Sequence, residues 1–289
     1  MIDSQDTVAA AVSGEAALVK RRQATDSGDV WLLEFELARG ERSVEPPRPG
    51  QFYQVRCGDG REHLLPRPLS VHDVSPWEGP EARINFLVER VGWGTRKLCS
   101  LETGDRVGML GPLGKPFELP APGGGQLLLV AGGLGVAPLY FLARELDGRG
   151  MPYGFIAGFK RGDQVYHELG GLGGSVAVAT EDGRTGGRGT ASDAARMMIE
   201  RSREDFPYSA LLACGPEAMM RAAAGLAEEA GIPCQVSLVA RMACGVGACR
   251  GCVREGRGGR NLCVCKDGPV FDSAEVVWLT AGEADGPVR

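Results

Sequence analysis

The stretch RMACGVGACRGC, Arg241–Cys252, decides how the rest of the chain is read. Cys244, Cys249 and Cys252 follow a C-x4-C-x2-C spacing, with Gly245, Gly247 and Gly251 between them. Thiolates at this spacing hold a plant-type [2Fe–2S] cluster. The glycines supply positive-φ turns and a close backbone approach, so that N–H groups reach the sulfurs. Two other uses of cysteine stay open here. Zinc sites pair short C-x2-C knuckles, whereas the first gap here is wider and holds glycines. Disulfides belong to secreted chains. For the fourth thiolate the sequence offers Cys263 and Cys265, which share a face in an extended segment. Cys265 precedes Lys266, Asp267, Gly268 and Pro269, a turn-forming run, and is the expected ligand.

The 289 residues suit about two domains. Hydrophobic residues make up 43% and charged residues 24%, the composition of an ordinary soluble protein. The net charge is −5 with no basic block, which argues against nucleic acid as a partner. The first residues (MIDSQDTVAAAVSGEAALVK) lack a charged n-region followed by an apolar one, and no apolar run reaches membrane-spanning length. Nine cysteines without a secretion signal point to a reducing compartment, the cytoplasm, and to metal or redox use. Cys57, Cys99, Cys214 and Cys234 are scattered and read as small buried hydrophobes. The 44 glycines follow no fixed repeat and read as turns and cofactor-approach points.

Residues 1–14 read as a loose extension. From 15 to 120 the chain is β-rich. Val30–Leu37, Gln51–Arg56, Leu69–Val74, Arg83–Arg90 and Arg106–Leu110 are short strand-like runs at the spacing of a barrel or sandwich. Leu119–Gly125 (LPAPGGG) reads as a linker. From 121 to 235 strands at Gln126–Ala131, Tyr153–Phe159, Ser175–Thr180 and Ser209–Cys214 alternate with helices at Leu139–Asp147, Ser192–Glu204 and Pro216–Ala230. This alternation predicts a doubly wound parallel sheet. Ser192 and Asp193 are candidate caps, and Pro216 suits an early helical position. A last strand, Gln235–Ala240, leads into a cysteine lobe at 236–289, whose tail Pro269–Thr280 packs back on the body.

Four further motifs carry chemistry. Arg67-Pro68-Leu69-Ser70 offers a guanidinium fork and a hydroxyl to phosphate, though alone it also reads as a turn entering a strand. Gly92-Trp93-Gly94-Thr95 ends a strand with N–H groups free for an anion, or forms a plain glycine hairpin with Trp93 partly exposed. Gly132–Pro138 (GGLGVAP) puts a helix N-terminus at a diphosphate, without matching G-x-G-x-x-G. Cys214–Met219 (CGPEAM) places Cys214 at the carboxyl edge of a sheet, where open α/β sheets bind ligands, or buries it at a strand end.

In this order the motifs resemble those of dihydroorotate dehydrogenase B electron-transfer subunits, a branch of the ferredoxin–NADP reductase superfamily. The likeness runs from about Ala16 to Val277. It is carried by Arg67–Ser70, Leu110–Gly114 (LGPLG), Ala131–Pro138, Cys214–Met219, Arg241–Cys252 and Cys265–Phe271 (CKDGPVF). The resemblance implies an antiparallel FAD-binding β-barrel, a nucleotide-binding α/β domain and a C-terminal [2Fe–2S] lobe. It implies that Arg67, Pro68, Leu69 and Ser70 hold the FAD diphosphate and line the isoalloxazine, with Val88, Glu89, Arg90, Gly94 and Thr95 completing the site. Gly132, Gly133 and Gly135 would face the nicotinamide nucleotide, with Cys214, Gly215 and Pro216 at the hydride-transfer edge. Cys244, Cys249, Cys252 and Cys265 would ligate the cluster, with Cys263 an extra cysteine.

The implied function is an electron relay. An FMN-bearing partner, in a heterotetramer, would oxidise dihydroorotate. This chain would pass the electrons through its cluster and FAD to NAD. Glu181 and Asp182, after a strand, would repel the 2′-phosphate of NADP, against Arg184 and Arg188 nearby. The alternatives are the small subunit of a bifurcating ferredoxin–NADP oxidoreductase, a hydrogenase diaphorase subunit, or a non-catalytic zinc-binding regulatory module. The first typically places an acidic residue among its cluster ligands, where this chain offers four cysteines.

Overall fold

The computed structural model describes residues 12–37, 45–58, 65–75, 77, 82–120, 124–202 and 206–278. The first seven strands are β1 (Val12–Gln23), β2 (Val30–Leu37), β3 (Phe52–Val55), β4 (Arg67–Ser70), β5 (Asp73–Val74), β6 (Arg83–Glu89) and β7 (Arg106–Leu113). They form one curled antiparallel sheet in the order β4-β3-β7-β1-β2-β6-β5, and helix α1 (Trp93–Cys99) lies between β6 and β7 in the chain. Alternation explains the curl. Leu33 and Phe35 of β2 and Ile84, Phe86 and Val88 of β6 fill the inside, while Leu32 and Leu87 face outward into a second core. Pro68 sits on an edge strand, where its missing N–H costs no ladder bond.

Two expectations change in this sheet. Residues 12–14 are not a loose extension: Val12, Ser13 and Gly14 pair with Gly111, Leu110 and Met109, and residues 1–11 lie outside the described residues. The run Leu69–Val74 divides into β4 and β5, which pair with different strands, β3 and β6.

The second sheet is built from β8 (Gln126–Gly132), β9 (Tyr153–Phe159), β10 (Ser175–Thr180), β11 (Gly187–Arg188), β12 (Tyr208–Cys214) and β13 (Cys234–Ser237). These are joined through α2 (Val136–Gly148), α3 (Ala191–Ser202) and α4 (Glu217–Ala230). Its strands are parallel, and the apolar run LLLVA of β8 is buried on both faces, as a central parallel strand requires. Helix α3 is capped by Thr190 and not by Ser192. The Asp193 N–H donates to Thr190 Oγ1 at 3.2 Å while the Thr190 N–H donates to Asp193 Oδ2 at 2.9 Å. Residues 203–204 of the expected helix, 121–123 of the expected linker and 279–280 of the tail lie outside the described residues.

The cysteine lobe contributes β14 (Val253–Glu255), β15 (Asn261–Cys263), α5 (Val264–Asp267) and β16 (Val270–Asp272). β16 joins the second sheet as an antiparallel edge on β13, giving the order β11-β10-β9-β8-β12-β13-β16. One core runs from Phe52 and Leu113 of the first sheet, through Val236 of β13, to Val264, Cys265 and Phe271 of the lobe. A second joins Leu32 and Leu87 to Val136 and Tyr140 of α2. Polar contacts reinforce that junction. His72 is buried, donates to or accepts from Tyr166 Oη through Nε2 at 2.8 Å and stacks on Tyr140; Glu168 bridges Tyr166 to Arg22 of β1.

At the carboxyl edge of the second sheet two glycine turns interlock. A Cβ on Gly135 would lie 2.0 Å from the Cys214 carbonyl oxygen. A Cβ on Gly215, whose φ is +152°, would lie 2.9 Å from the Gly132 backbone. Neither turn has room for a side chain where it meets the other. Gly135→Ala is therefore expected to destabilise the protein by about 3 kcal/mol through overpacking. Gly133, with φ +52° and open space where a Cβ would go, should cost only the left-handed penalty of about 1–2 kcal/mol on conversion to alanine. Thermal melts of the two variants check this, and equal melting temperatures would show that the turns yield.

Candidate functional site

The cysteine loop is held open by backbone that only glycine adopts freely: Gly245 and Gly247 have φ of +73° and +81°. This geometry turns N–H groups onto sulfur. The Gly247 N–H donates to Cys265 Sγ at 3.1 Å, Cys249 N–H to Cys244 Sγ at 3.4 Å, Gly251 N–H to Cys249 Sγ at 3.4 Å and Cys265 N–H to Cys252 Sγ at 3.4 Å. Each expected cluster ligand therefore receives at least one such bond.

The sulfurs fall into two sets. Cys244 and Cys249 form one at the outer end of the loop. Cys252, Cys263 and Cys265 form the other, buried, with all three sulfurs within 4.8 Å of one another. Cys263 Sγ lies 3.7 Å from Cys252 Sγ and 3.9 Å from Cys265 Sγ, too far for a disulfide. All nine cysteines are free thiols. A [2Fe–2S] cluster takes two protein ligands on each iron, and two sulfur sets in one loop fit that demand. Charge points the same way. Burial pushes the Cys265 thiol well up, reinforced by its contact with Cys252, so packed sulfurs of this kind become thiolates beside a cation. At Cys244 burial acts in the same upward sense, but N–H groups from Cys249, Val246 and Ala248 outweigh it and hold the thiol down to about 6.

The second station is β4 with α1. The Arg67 guanidinium lies flush against Gly94: a Cβ there would stand 2.8 Å from Nε. Thr95 Oγ1 accepts from the Gly92 N–H at 3.1 Å, which shapes the first turn of α1. A planar cation beside a side-chain-free helix start fits a diphosphate. Pro68, Leu69 and Ser70 are half-buried along the same edge strand. Val88 points into the interior of the first sheet, so only its backbone reaches outward, while Arg90 is exposed. Glu89 is half-buried at the mouth of a cleft, its carboxyl raised by burial and by the negative charge of Asp29.

That cleft, about 600 Å³, opens at the carboxyl edge of the parallel sheet. Gly132, Gly133, Pro216 and Met219 line it, with Lys160 and Glu181 across from them. Helix α4 begins here without a side-chain cap, leaving N–H groups for a phosphate-bearing ligand, while α2 continues a 3-10 turn, Gly133–Gly135, whose carbonyls already take the Val136 N–H. Three expected residues are placed differently from the rest. Gly135 backs onto Cys214, and Gly215 onto Gly132. Cys214 lies behind the lining residues, where burial pushes its thiol up to about 12, so it is neutral at ordinary pH. Asp182 is occupied by the Gly162 and Arg184 N–H groups and by the Arg184 guanidinium, so of the pair Glu181–Asp182 it is Glu181 that lines the cleft, where Glu89 also lies.

Sequence reasoning missed several groups. Lys160 carried no motif. Arg254 of β14 grips Glu217 of α4 through two bonds of 2.8 and 2.6 Å, both side chains only 13% exposed, and nothing in their separation of 37 residues announces the pair. Gln54, buried beneath Gly245, stood out only as the polar residue of FYQV.

Comparison with known proteins bears on the whole chain. A family model described as the iron–sulfur cluster binding domain of dihydroorotate dehydrogenase B matches residues 240–277. The dihydroorotate dehydrogenase B (NAD(+)) electron transfer subunit of Desulforamulus reducens is 39% identical over 255 residues, covering 86% of this chain and 93% of the relative. That of Bacillus caldolyticus is 41% identical over 268 residues, covering 90% and 100%. A solved NADH-dependent reduced ferredoxin–NADP oxidoreductase, described in connection with flavin-based electron bifurcation, is 29% identical with a TM-score of 0.74, covering 91% and 90%. With relatives alike over nearly their full length, the chain belongs to the family of dihydroorotate dehydrogenase B electron transfer subunits.

Proposed function

We propose that this chain relays electrons between dihydroorotate oxidation on an FMN-containing partner subunit and NAD, through its own [2Fe–2S] cluster and FAD. The observation that carries this reading is the gathering of five thiols in one lobe, three from the loop at 244–252 and two from β15 and α5, with that loop seated against β3, the strand next to β4. When bound, the flavin exchanges a hydride with nicotinamide and single electrons with the cluster, joining a two-electron carrier to a one-electron carrier.

The chain's own residues bind and orient. Arg67 holds the FAD diphosphate beside Gly94 and Thr95, and Pro68, Leu69 and Ser70 line the isoalloxazine. Glu89, Arg90 and the Val88 backbone complete that site. Gly132, Gly133 and Pro216 face the nicotinamide nucleotide, while Gly135 and Gly215 lock the two turns behind it. Cys214 acts as a neutral wall at the hydride-transfer edge, a role its burial supports. Cys244 and Cys249 serve one iron, Cys252 and Cys265 the other. Cys265 is preferred over Cys263 because it receives the Gly247 N–H at sulfur. The division of labour follows the chain: residues 15–120 for FAD, 121–235 for NAD and 236–289 for the cluster. Among the described residues no helix is long and apolar enough to cross a membrane. We place the protein in the cytoplasm, in a heterotetramer with its partner.

Anaerobically purified protein is expected to carry FAD and about two irons per chain. It should give a paramagnetic iron signal after dithionite, reduce a dye with NADH, and oxidise dihydroorotate only with its partner present. Stoichiometric zinc in place of iron, or dihydroorotate turnover by the isolated chain, would overturn the reading.

Cys265→Ser should lose or strongly perturb the cluster spectrum, with Cys263→Ser leaving it nearly unchanged; the reverse would move the fourth ligand to Cys263. In the dye assay NADH should outperform NADPH. Glu181→Gln should raise NADPH turnover about fivefold, the equivalent of about 1 kcal/mol of relieved repulsion in a solvent-exposed setting. A parent enzyme that prefers NADPH defeats this assignment.

A further inference from the structure

Gln54 is the middle of a buried strand, and its neighbours give its carboxamide nothing to bond. On β3, Tyr53 and Val55 point into the first sheet's interior, while Phe52 faces the core shared with the cysteine lobe. Alternation puts Gln54 on the face of Phe52. There it pairs in register with Pro68 of β4 on one side and Leu110 of β7 on the other. Gly245 of the cysteine loop closes over it: a Cβ on Gly245 would stand 2.7 Å from Gln54 Cγ and 3.0 Å from Nε2. The residue is 2% exposed, and both Nε2 and Oε1 are buried without a hydrogen-bond partner among the described residues. An unpaired buried amide costs about 1–3 kcal/mol, so a sequence that keeps one here, where leucine would pack, has a use for it.

The place of this amide is specific. It lies between the strand assigned to the flavin and the turn that begins at Cys244, and Gly245, free of a side chain, lets the two meet. Apart from contacts among the sulfurs themselves, the cysteine sulfurs accept from backbone N–H groups, and Gln54 Nε2 would add a side-chain donor from outside the lobe.

We propose that Gln54 is a positioning residue of the electron relay whose Nε2–H group donates to a sulfur of the cluster. This rests on the reading that the loop holds a [2Fe–2S] cluster. A donor at sulfur favours the reduced cluster, which carries one more negative charge, and so raises its reduction potential relative to the flavin.

The test compares Gln54→Met and Gln54→Glu with the parent in the full chain carrying its cofactors. Iron content is measured first. The cluster is then titrated potentiometrically by its paramagnetic signal and the flavin by absorbance. In Gln54→Met the cluster's reduction equilibrium should move roughly tenfold toward the oxidised form, which is about 59 mV for one electron. In Gln54→Glu, where a carboxylate brings negative charge, it should move in the same direction. The flavin's equilibrium should stay put in both. A cluster equilibrium within about twofold of the parent in both variants overturns the proposal. So does a shift confined to the flavin, which would make the amide a flavin ligand, or equal loss of iron from both variants, which would make it packing. If only Gln54→Met fails to hold iron, Gln54→Glu decides by the same criterion. A parent protein without iron would instead defeat the underlying cluster reading, before either variant is compared.

Discussion

The apolar seam joining Phe52 and Leu113 to Val264, Cys265 and Phe271 fixes the cysteine lobe against strands β3 and β7 of the first sheet. The lobe has little core of its own. Among the described residues its only internal sheet is the pair β14–β15, and an isolated two-stranded hairpin is marginal in water. Fully burying a phenylalanine or leucine contributes about 1.5–3 kcal/mol, so the seam supplies what the lobe lacks. β16 adds a second attachment by completing the parallel sheet's edge on β13. A relay of single electrons depends on fixed distances, and here they are set by packing between distant parts of the chain.

Electrostatics make the same loop a cation site. Three buried sulfurs cannot all ionise together without a positive centre, and burial, with the neighbouring sulfurs of Cys252 and Cys263, pushes the Cys265 thiol up. Backbone N–H groups pull in the opposite sense, most effectively at Cys244, where they prevail. Cys214 shows the contrast. It is buried too, and its thiol stands at about 12 even with a hydrogen bond to Ser237 opposing the rise. The loop is distinguished by donors aimed at sulfur, which glycine permits and which no scattered cysteine of this chain shares to that extent.

Much of this was legible where a residue's role is set by its immediate neighbours. The strands at Val30–Leu37, Tyr153–Phe159 and Ser175–Thr180 stand as the apolar patterns predict them, and the parallel sheet follows from their alternation with helices. Legibility failed where a role is set by something far away in sequence. β1 carries Lys20, Arg21 and Arg22 and a bulge between Leu18 and Lys20, which break the alternation that would announce it. Gly135 reads like its neighbours Gly132 and Gly133, yet only the chain's return at Cys214 makes it a packing glycine. Cys263 looks redundant beside Cys265 until the fold puts its sulfur against Cys252.

The turn Cys214-Gly215-Pro216-Glu217 is where these separations close. Cys214 ends the strand, Gly215 lies on Gly132, Pro216 lines the cleft and Glu217 reaches out of the first turn of α4 to Arg254 in the cysteine lobe. A carboxylate at a helix N-terminus is already favoured by the helix dipole. Its pairing with a largely buried guanidinium makes the link stiff, because removing either partner from a buried pair leaves an uncompensated charge at a cost of about 3–5 kcal/mol. Packing alone would leave the lobe free to slide along an apolar seam. The ion pair is directional, and it ties the lobe's orientation to the four-residue turn that shapes the cleft at the carboxyl edge of the parallel sheet, so lobe and cleft are positioned by one short piece of backbone.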